Sequence, residues 1–222
     1  MHDQRAPALS VAGVDPAEAS LGDLSGSGAA LLVFVSEECP TSALALGNLG
    51  PLCRGWEAAG LTAAAVFEDP LDVAIRTARR LGWAGRVLSQ PPPFEASRAY
   101  GLVTVPTTVL VGGAGMLEGT VVGWDQPRLA ALIERAGAIL GTALAAPPEA
   151  EPRYKPGCSS KAAIDPEVAA AISRRTLDDE MEDMFERGWT DGLPVVPPTT
   201  ERVEAMLGGA DGSASLGLVP PS

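Results

Sequence analysis

The chain has 222 residues, 46% of them hydrophobic, which fits one ordinary globular domain plus something smaller. Twenty-eight acidic residues against sixteen basic ones give a net charge of −12. Such a surface would repel nucleic acid and anionic membranes, so neither is an expected partner. No apolar stretch indicates a signal peptide or membrane span. The three cysteines are too irregularly spaced for a disulfide framework, which favours a reducing compartment, and we expect a cytoplasmic protein.

The first distinct element is an apolar run at residues 31–35, which predicts a strand buried on both faces. Residues 1–30 before it are small and polar, with residues 21–24 the only ordered-looking piece. After the run, a helix-compatible sequence continues toward Leu52, and Pro40 falls where a proline suits the first helical turn. The pattern therefore places Cys39 at a helix N-terminus, directly after a central strand.

That position has a chemical consequence for Cys39. Unpaired backbone N–H groups and the positive end of the helix dipole both favour a thiolate over a thiol. The thiolate is the nucleophile of disulfide exchange. Two observations oppose this interpretation: free cysteines are common in cores, and Glu37 and Glu38 would raise the pKa of the thiol if they approach it.

Further elements follow at regular intervals. We predict, in order, a strand over residues 61–67, a helix over 70–81, a short strand over 86–89, a short helix over 94–100, a strand over 107–111, a turn at 112–115, a returning strand over 117–122 and a helix over 128–140. This order predicts an α/β fold in which a central mixed sheet is covered by helices on both faces.

Two motifs carry a resemblance to a known family. The Cys-Pro-Thr-Ser sequence at residues 39–42 and the segment 100–111 around Val105-Pro106 resemble the active-site region and the cis-proline segment of the thioredoxin-like superfamily, including its redoxin branch. The resemblance spans roughly residues 8–140. It implies a three-layer thioredoxin-like fold in which Val105 and Pro106 lie beside Cys39 and, with Pro40, contact the substrate chain. Ser42 stands where the family usually has a second cysteine.

The resemblance implies a thiol–disulfide oxidoreductase that uses Cys39 as a single nucleophile. Ser42 could hydrogen-bond the thiolate or cap the helix, and Thr41 could serve either role. A lone thiol needs a second thiol to release its mixed disulfide, from glutathione, from a partner protein or from Cys158. Cys158 is otherwise an incidental or second-domain cysteine, and Cys53 is expected in the core. We expect thiol- or disulfide-bearing proteins or glutathione as partners.

Other function classes are less favoured. A peroxidase of the related peroxiredoxin type would need a proline and a threonine where Leu32 and Ser36 stand, and a later arginine that the stretch between Arg98 and Arg128 does not supply. Neither a cofactor nor a metal is expected, because His2 is the only histidine and no cysteine pair has ligand spacing. The alternative from another class is a non-catalytic thioredoxin-like module that binds or scaffolds a partner at the Pro106 edge.

The composition changes after residue 141. We predict a thioredoxin-like domain over residues 1–142, a linker rich in proline and alanine over 143–157, and a partial C-terminal segment over 158–222. That segment contains an acidic helix around residues 174–187 and a short helix over 201–207. It resembles the opening of a second domain found behind some bacterial thioredoxin-like domains, and no activity attaches to it.

Overall fold

The structure is a computed structural model that describes residues 5–13, 18–26, 28–163, 190 and 206–207. The chain forms two compact units, Met1–Ala170 and Ala171–Ser222, and the description below concerns the first. The predicted helix over residues 174–187 lies outside the described residues, and of the predicted helix over 201–207 only the helical residues 206–207 are described. None of the helices within the described ranges is long and apolar enough to span a bilayer.

The predicted elements of the first unit occur in the predicted order, together with short elements that were not predicted. They are β1 (Ser10–Gly13), β2 (Glu18–Ser20), α1 (Leu21–Ser25), β3 (Ala29–Val35), α2 (Pro40–Leu49), α3 (Cys53–Ala58), β4 (Leu61–Phe67), α4 (Leu71–Arg80), β5 (Arg86–Ser89), α5 (Glu95–Ala99), β6 (Thr104–Val105), β7 (Thr107–Gly112), β8 (Leu117–Val122), β9 (Trp124–Asp125), α6 (Gln126–Leu140), β10 (Tyr154–Lys155) and β11 (Cys158–Ser159). The predicted α/β class with a central mixed sheet is confirmed.

The main sheet has the order β2-β1-β5-β4-β3-β7-β8. Strand β3 lies parallel to β4, which lies parallel to β5, whereas β7 is antiparallel to β3. All seven residues of β3 are buried because helices cover both faces of the sheet. Alternate β3 residues pack toward two cores: Leu31 joins the one that contains Trp56 of α3, and Leu32 joins the one that contains Leu24 of α1.

The N-terminal region contains two strands that the sequence did not predict. Strand β1 pairs antiparallel with β2 and also with β5, so it extends the sheet at that edge. Val11 and Ala19 are buried there. These strands are three and four residues long, too short for a clear alternating pattern.

Residues 143–163 lie against the first unit. The indole N–H of Trp56 donates to the carbonyl of Ala145 at 2.9 Å, and that of Trp124 donates to the carbonyl of Pro152 at 2.8 Å. Farther along, β10 pairs with β9, and β11 pairs with β6. Residues 143–163 thus belong to the first unit, while the division into a domain over 1–142, a linker over 143–157 and a partial C-terminal segment over 158–222 stays a prediction.

Candidate active site

Cys39 lies where the sequence places it, between β3 and α2. It is the N-cap residue of α2, Pro40 occupies the first turn with its surface exposed, and the Cys39 sulfur accepts a hydrogen bond from the Ser42 N–H at 3.4 Å. The side chain is only 2% exposed. A helix start thus directs an otherwise unpaired backbone donor at the sulfur, an arrangement that stabilises a thiolate.

The second motif meets the first at this sulfur. The Cys39 thiol donates to the carbonyl oxygen of Val105 at 3.3 Å, and the Val105–Pro106 peptide bond is cis. Pro106 is buried and leads directly into β7, the neighbour of β3 in the sheet. The structure therefore brings Cys39, Val105 and Pro106 together at one end of the central strands.

Ser42 and Thr41 face different partners. The buried Ser42 hydroxyl accepts the Ser36 N–H at 3.3 Å, which ties the start of α2 to the loop that follows β3. Ser42 contacts the Cys39 sulfur as well, through both its hydroxyl and its N–H. The Thr41 hydroxyl instead donates to the carbonyl of Pro156 at 2.7 Å, so in this structure it holds the later segment and makes no hydrogen bond to the thiol.

Cys158 lies beside Cys39, on a strand that covers the site. In the antiparallel β6–β11 pair, Cys158 is opposite Val105, the residue whose carbonyl accepts the Cys39 thiol, so both cysteines lie at the same edge of β6. The preceding Gly157 permits the close approach, since a Cβ atom there would lie 2.4 Å from the Val105 carbonyl oxygen. We call residues 154–163, which include β10 and β11, the docked segment.

The two thiols have opposite pKa shifts. Burial raises the pKa of Cys39, but hydrogen bonds from the Cys158 side chain, from the hydroxyl and N–H of Ser42 and from the Cys158 backbone outweigh burial and hold that pKa below its ordinary value. The hydrogen bond to Cys39, together with burial and the Cys39 charge, raises the pKa of Cys158 to about 11. The pair therefore favours a thiolate on Cys39 and a proton on Cys158.

The third cysteine is unsuited to exchange. Cys53 is 1% exposed, as expected of a core residue on α3, and its thiol donates to the carbonyl of Leu49. Burial raises the pKa of Cys53 to about 11, so its thiolate is scarce at neutral pH.

Two acids that the sequence analysis did not single out complete the site. Glu68 and Asp69, which we call the acidic pair, follow β4 and are 2% and 4% exposed. Because β3 and β4 are parallel, their carboxyl ends meet at one edge of the sheet, and this places the acidic pair near Cys39. Both side chains bind the docked segment: Glu68 accepts from Ser160 and Asp69 from Lys161. The position of two acids directly after a buried strand is the feature of the sequence that could have identified them as site residues.

The acids next to Cys39 in sequence are turned outward. Glu37 and Glu38 are both exposed. Glu38 contributes one carboxylate oxygen 3.8 Å from the Lys161 ammonium, and Glu37 contributes its backbone N–H to Asp69. The main causes of the Cys39 pKa shift are burial and hydrogen bonds from Ser42 and Cys158, not these two carboxylates.

Comparisons with known structures agree with this architecture. A protein of Chlorobium tepidum provisionally named the thiol:disulfide interchange protein DsbE matches with a TM-score of 0.57 and 21% identity, over 64% of this chain and 99% of that one. A provisionally named thioredoxin from Neisseria meningitidis matches with a TM-score of 0.53 and 23% identity, over 62% and 92%. The thioredoxin domain of a thiol-disulfide oxidoreductase from Bacteroides vulgatus matches with a TM-score of 0.50 and 16% identity, over 55% and 90%.

These matches establish the fold of the chain as thioredoxin-like, as the two sequence motifs implied. Neither a protein-family model nor a curated protein matches the sequence.

Proposed function

We propose that the protein is a thiol–disulfide oxidoreductase in which Cys39 is the only nucleophile of its helix-start motif and Cys158 is the resolving thiol. The observation that carries the proposal is the position of the Cys39 sulfur between the Ser42 N–H and the Val105 carbonyl, with Cys158 paired opposite Val105. The names of the structural neighbours, which include thiol:disulfide interchange proteins, support the same class of reaction.

The proposed reaction has two exchange steps. The Cys39 thiolate attacks one sulfur of a client disulfide, forms a Cys39–client disulfide and releases the other client sulfur as a thiolate. Cys158 then loses its proton and attacks the Cys39 sulfur, which forms a Cys39–Cys158 disulfide and releases the reduced client. An external thiol, either glutathione or a protein dithiol, reduces that disulfide and is itself oxidised.

The chain supplies positioning for both steps. Cys158 lies at the edge of strand β6, beside Cys39. The client approaches Cys39 at the same edge, so the client and Cys158 bind there one after the other. The Ser42 side chain stabilises the Cys39 thiolate by a hydrogen bond. The Thr41 hydroxyl donates to the Pro156 carbonyl and so holds the segment that covers Cys39. We further propose a reducing compartment such as the cytoplasm as the site of action, where the three cysteines, all free in this structure, stay reduced between turnovers.

The test follows intermediates by intact mass during incubation with a glutathionylated peptide. The Cys158→Ser variant should accumulate a Cys39 adduct that clears only when thiol is added, whereas the wild type should clear it unaided. Cys53→Ser is the matched control and should behave as wild type, and Cys39→Ser should form no adduct at the site.

Two results would contradict the proposal. Unaided clearing by Cys158→Ser would remove Cys158 as the resolving thiol and leave exchange with an external thiol. Absence of any Cys39 adduct in that variant, under all thiol conditions, would make the domain a binding or scaffold module that uses the Pro106 edge without catalysis.

A further inference from the structure

We propose that the β6 edge and the acidic pair form a groove selective for extended protein segments in which a lysine or arginine follows the reactive cysteine by three residues. The inference rests on the function proposed above and names the class of client that the site takes. Its basis is the occupant of the groove in this structure, the chain's own Cys-Ser-Ser-Lys at residues 158–161.

Backbone pairing fixes the register of the occupant. Cys158 pairs with Val105 and Ser159 with Thr104, and the N–H of Ser160 donates to the carbonyl of Val103 at 3.0 Å. Such contacts accept any extended chain, because they involve the main chain and not the side chains. They hold the cysteine of the occupant against Cys39 and therefore determine which of its later residues reach the acidic pair.

In this register, the third residue after the cysteine of the occupant lies beside the acidic pair. Lys161 donates its backbone N–H to Glu68 Oε2 at 2.8 Å and its ammonium to Asp69 Oδ1 at 2.7 Å. The Lys161 side chain is 24% exposed and that of Asp69 is 4% exposed, so this ion pair is largely shielded from solvent. Ser160, fully buried, donates its hydroxyl to Glu68 Oε1.

The acidic pair is held in place by the body of the domain. The Glu37 N–H donates to Asp69 Oδ2 at 2.8 Å, and the Ser89 hydroxyl donates to the Asp69 carbonyl at 2.6 Å. The backbone N–H of Glu68 donates to the Val35 carbonyl at 3.0 Å. These contacts fix the backbone of both acids and the Asp69 carboxylate independently of the docked segment, so the Asp69 carboxylate faces whichever segment occupies the groove.

The charge of the groove explains its selectivity. A cation at the third position pairs with Asp69 Oδ1, whereas an apolar residue would leave that buried oxygen without its charged partner, and only the Glu37 N–H would still bind the carboxylate through Oδ2. A glutamate there would add a fourth carboxylate to those of Glu38, Glu68 and Asp69, which is unfavourable by repulsion as well as by desolvation. Only a basic residue satisfies both the burial and the charge of the site.

The experiment measures reaction rates with three peptides that copy residues 154–163. The first has the native sequence, the second has glutamate at the position of Lys161, and the third has glutamate at the position of Lys155 instead, with the same net charge as the second. Each peptide cysteine is activated as a disulfide with thionitrobenzoate. The Cys39 thiolate of the full chain carrying Cys158→Ser attacks the peptide sulfur, and thionitrobenzoate leaves with the electron pair and is followed by absorbance.

The first and third peptides should react about tenfold faster than the second, the size expected of one charge-assisted hydrogen bond. The docked segment competes equally with every peptide, so it does not affect the ratio. Adding Asp69→Asn should lower the ratio clearly, and Glu38 and Glu68, which remain near the position of Lys161, account for the preference that is left. Asp72→Asn, the same charge change at an exposed acid of α4, should leave the ratio as it was.

Equal rates for all three peptides would overturn the inference. If the peptides still form an adduct at Cys39 in that case, the proposed function remains intact. A third peptide as slow as the second would also overturn it, because net charge and not position would then set the rate. If no peptide releases thionitrobenzoate by reaction at Cys39, the proposed function fails and the inference fails with it.

Discussion

Replacing Gly157 by alanine tests whether the docked segment covers Cys39 in solution. The added Cβ would meet the Val105 carbonyl oxygen at 2.4 Å and a Thr104 side-chain atom at 2.5 Å, where ordinary contacts begin near 3.4 Å. Strand β11 must therefore withdraw from β6 by roughly 1 Å, and hydrogen bonds weaken steeply over such a distance. Gly55→Ala is the matched control, because a Cβ at this α3 position meets nothing within 4 Å.

The magnitude follows from the pKa of Cys158. That pKa is raised to about 11 chiefly by the hydrogen bond to Cys39, and it should return toward the ordinary 9.0 when the strands separate. At pH 8 the thiolate fraction of Cys158 would then rise from about one in a thousand to about one in ten, so its alkylation should accelerate on the order of a hundredfold.

The assay is timed labelling with iodoacetamide at pH 8, followed by peptide mapping of each cysteine. Cys53 serves as an internal reference, since it is 1% exposed in the core. Gly55→Ala should label as wild type. If Gly157→Ala also labels Cys158 at the wild-type rate, the pairing of β11 with β6 does not control the thiol, and the account of the site is wrong.

Three further predictions concern the same site. Alkylation of Cys39 in the wild type should rise with pH through a midpoint below the ordinary 9.0, and a midpoint at or above that value would contradict the pKa direction. Adding Ser42→Cys to Cys158→Ser should restore unaided clearing of a Cys39 adduct in intact-mass assays, because a cysteine one helical turn away can resolve it; persistence of the adduct would argue otherwise. In urea denaturation, Lys161→Met should lower the free energy of unfolding by about 1–3 kcal/mol. Arg76→Met, at an exposed ion pair, should lower it by less than about 1 kcal/mol, and equal losses would show that Lys161 is no better shielded.

Local sequence patterns predicted the parts of the fold that depend on the burial or the backbone conformation of a few neighbouring residues. The apolar run of β3 became the fully buried central strand, and the proline after Cys39 marked the start of α2 within one residue. The hairpin between β7 and β8 followed from a glycine-rich turn. In these cases burial periodicity and backbone restrictions act over a few residues, so the sequence is sufficient.

The covering of the site was not predictable in the same way. The contacts of Glu68 with Ser160 and Lys161 join residues more than ninety positions apart, and no local pattern encodes such a pairing. The sequence Ala-Ala-Pro-Pro-Glu-Ala-Glu-Pro at 145–152 is typical of a linker, because prolines lack the donors that mark a strand. Their carbonyls still accept hydrogen bonds, and this segment binds the domain through those acceptors.

Those acceptors determine where the folding unit can be cut. Three buried side-chain donors bind carbonyl oxygens of residues 145–152. They are the indole N–H groups of Trp56 and Trp124 and the side-chain amide of Gln126. A chain shortened at residue 142 would either expose the two indole rings so that water replaces the carbonyls, or leave three donors unsatisfied at about 1–3 kcal/mol each. Either loss is comparable with the roughly 5–15 kcal/mol that keeps a domain folded. A recombinant fragment should therefore extend at least through residue 152, and through residue 163 if it is also to keep the β9–β10 and β6–β11 pairs.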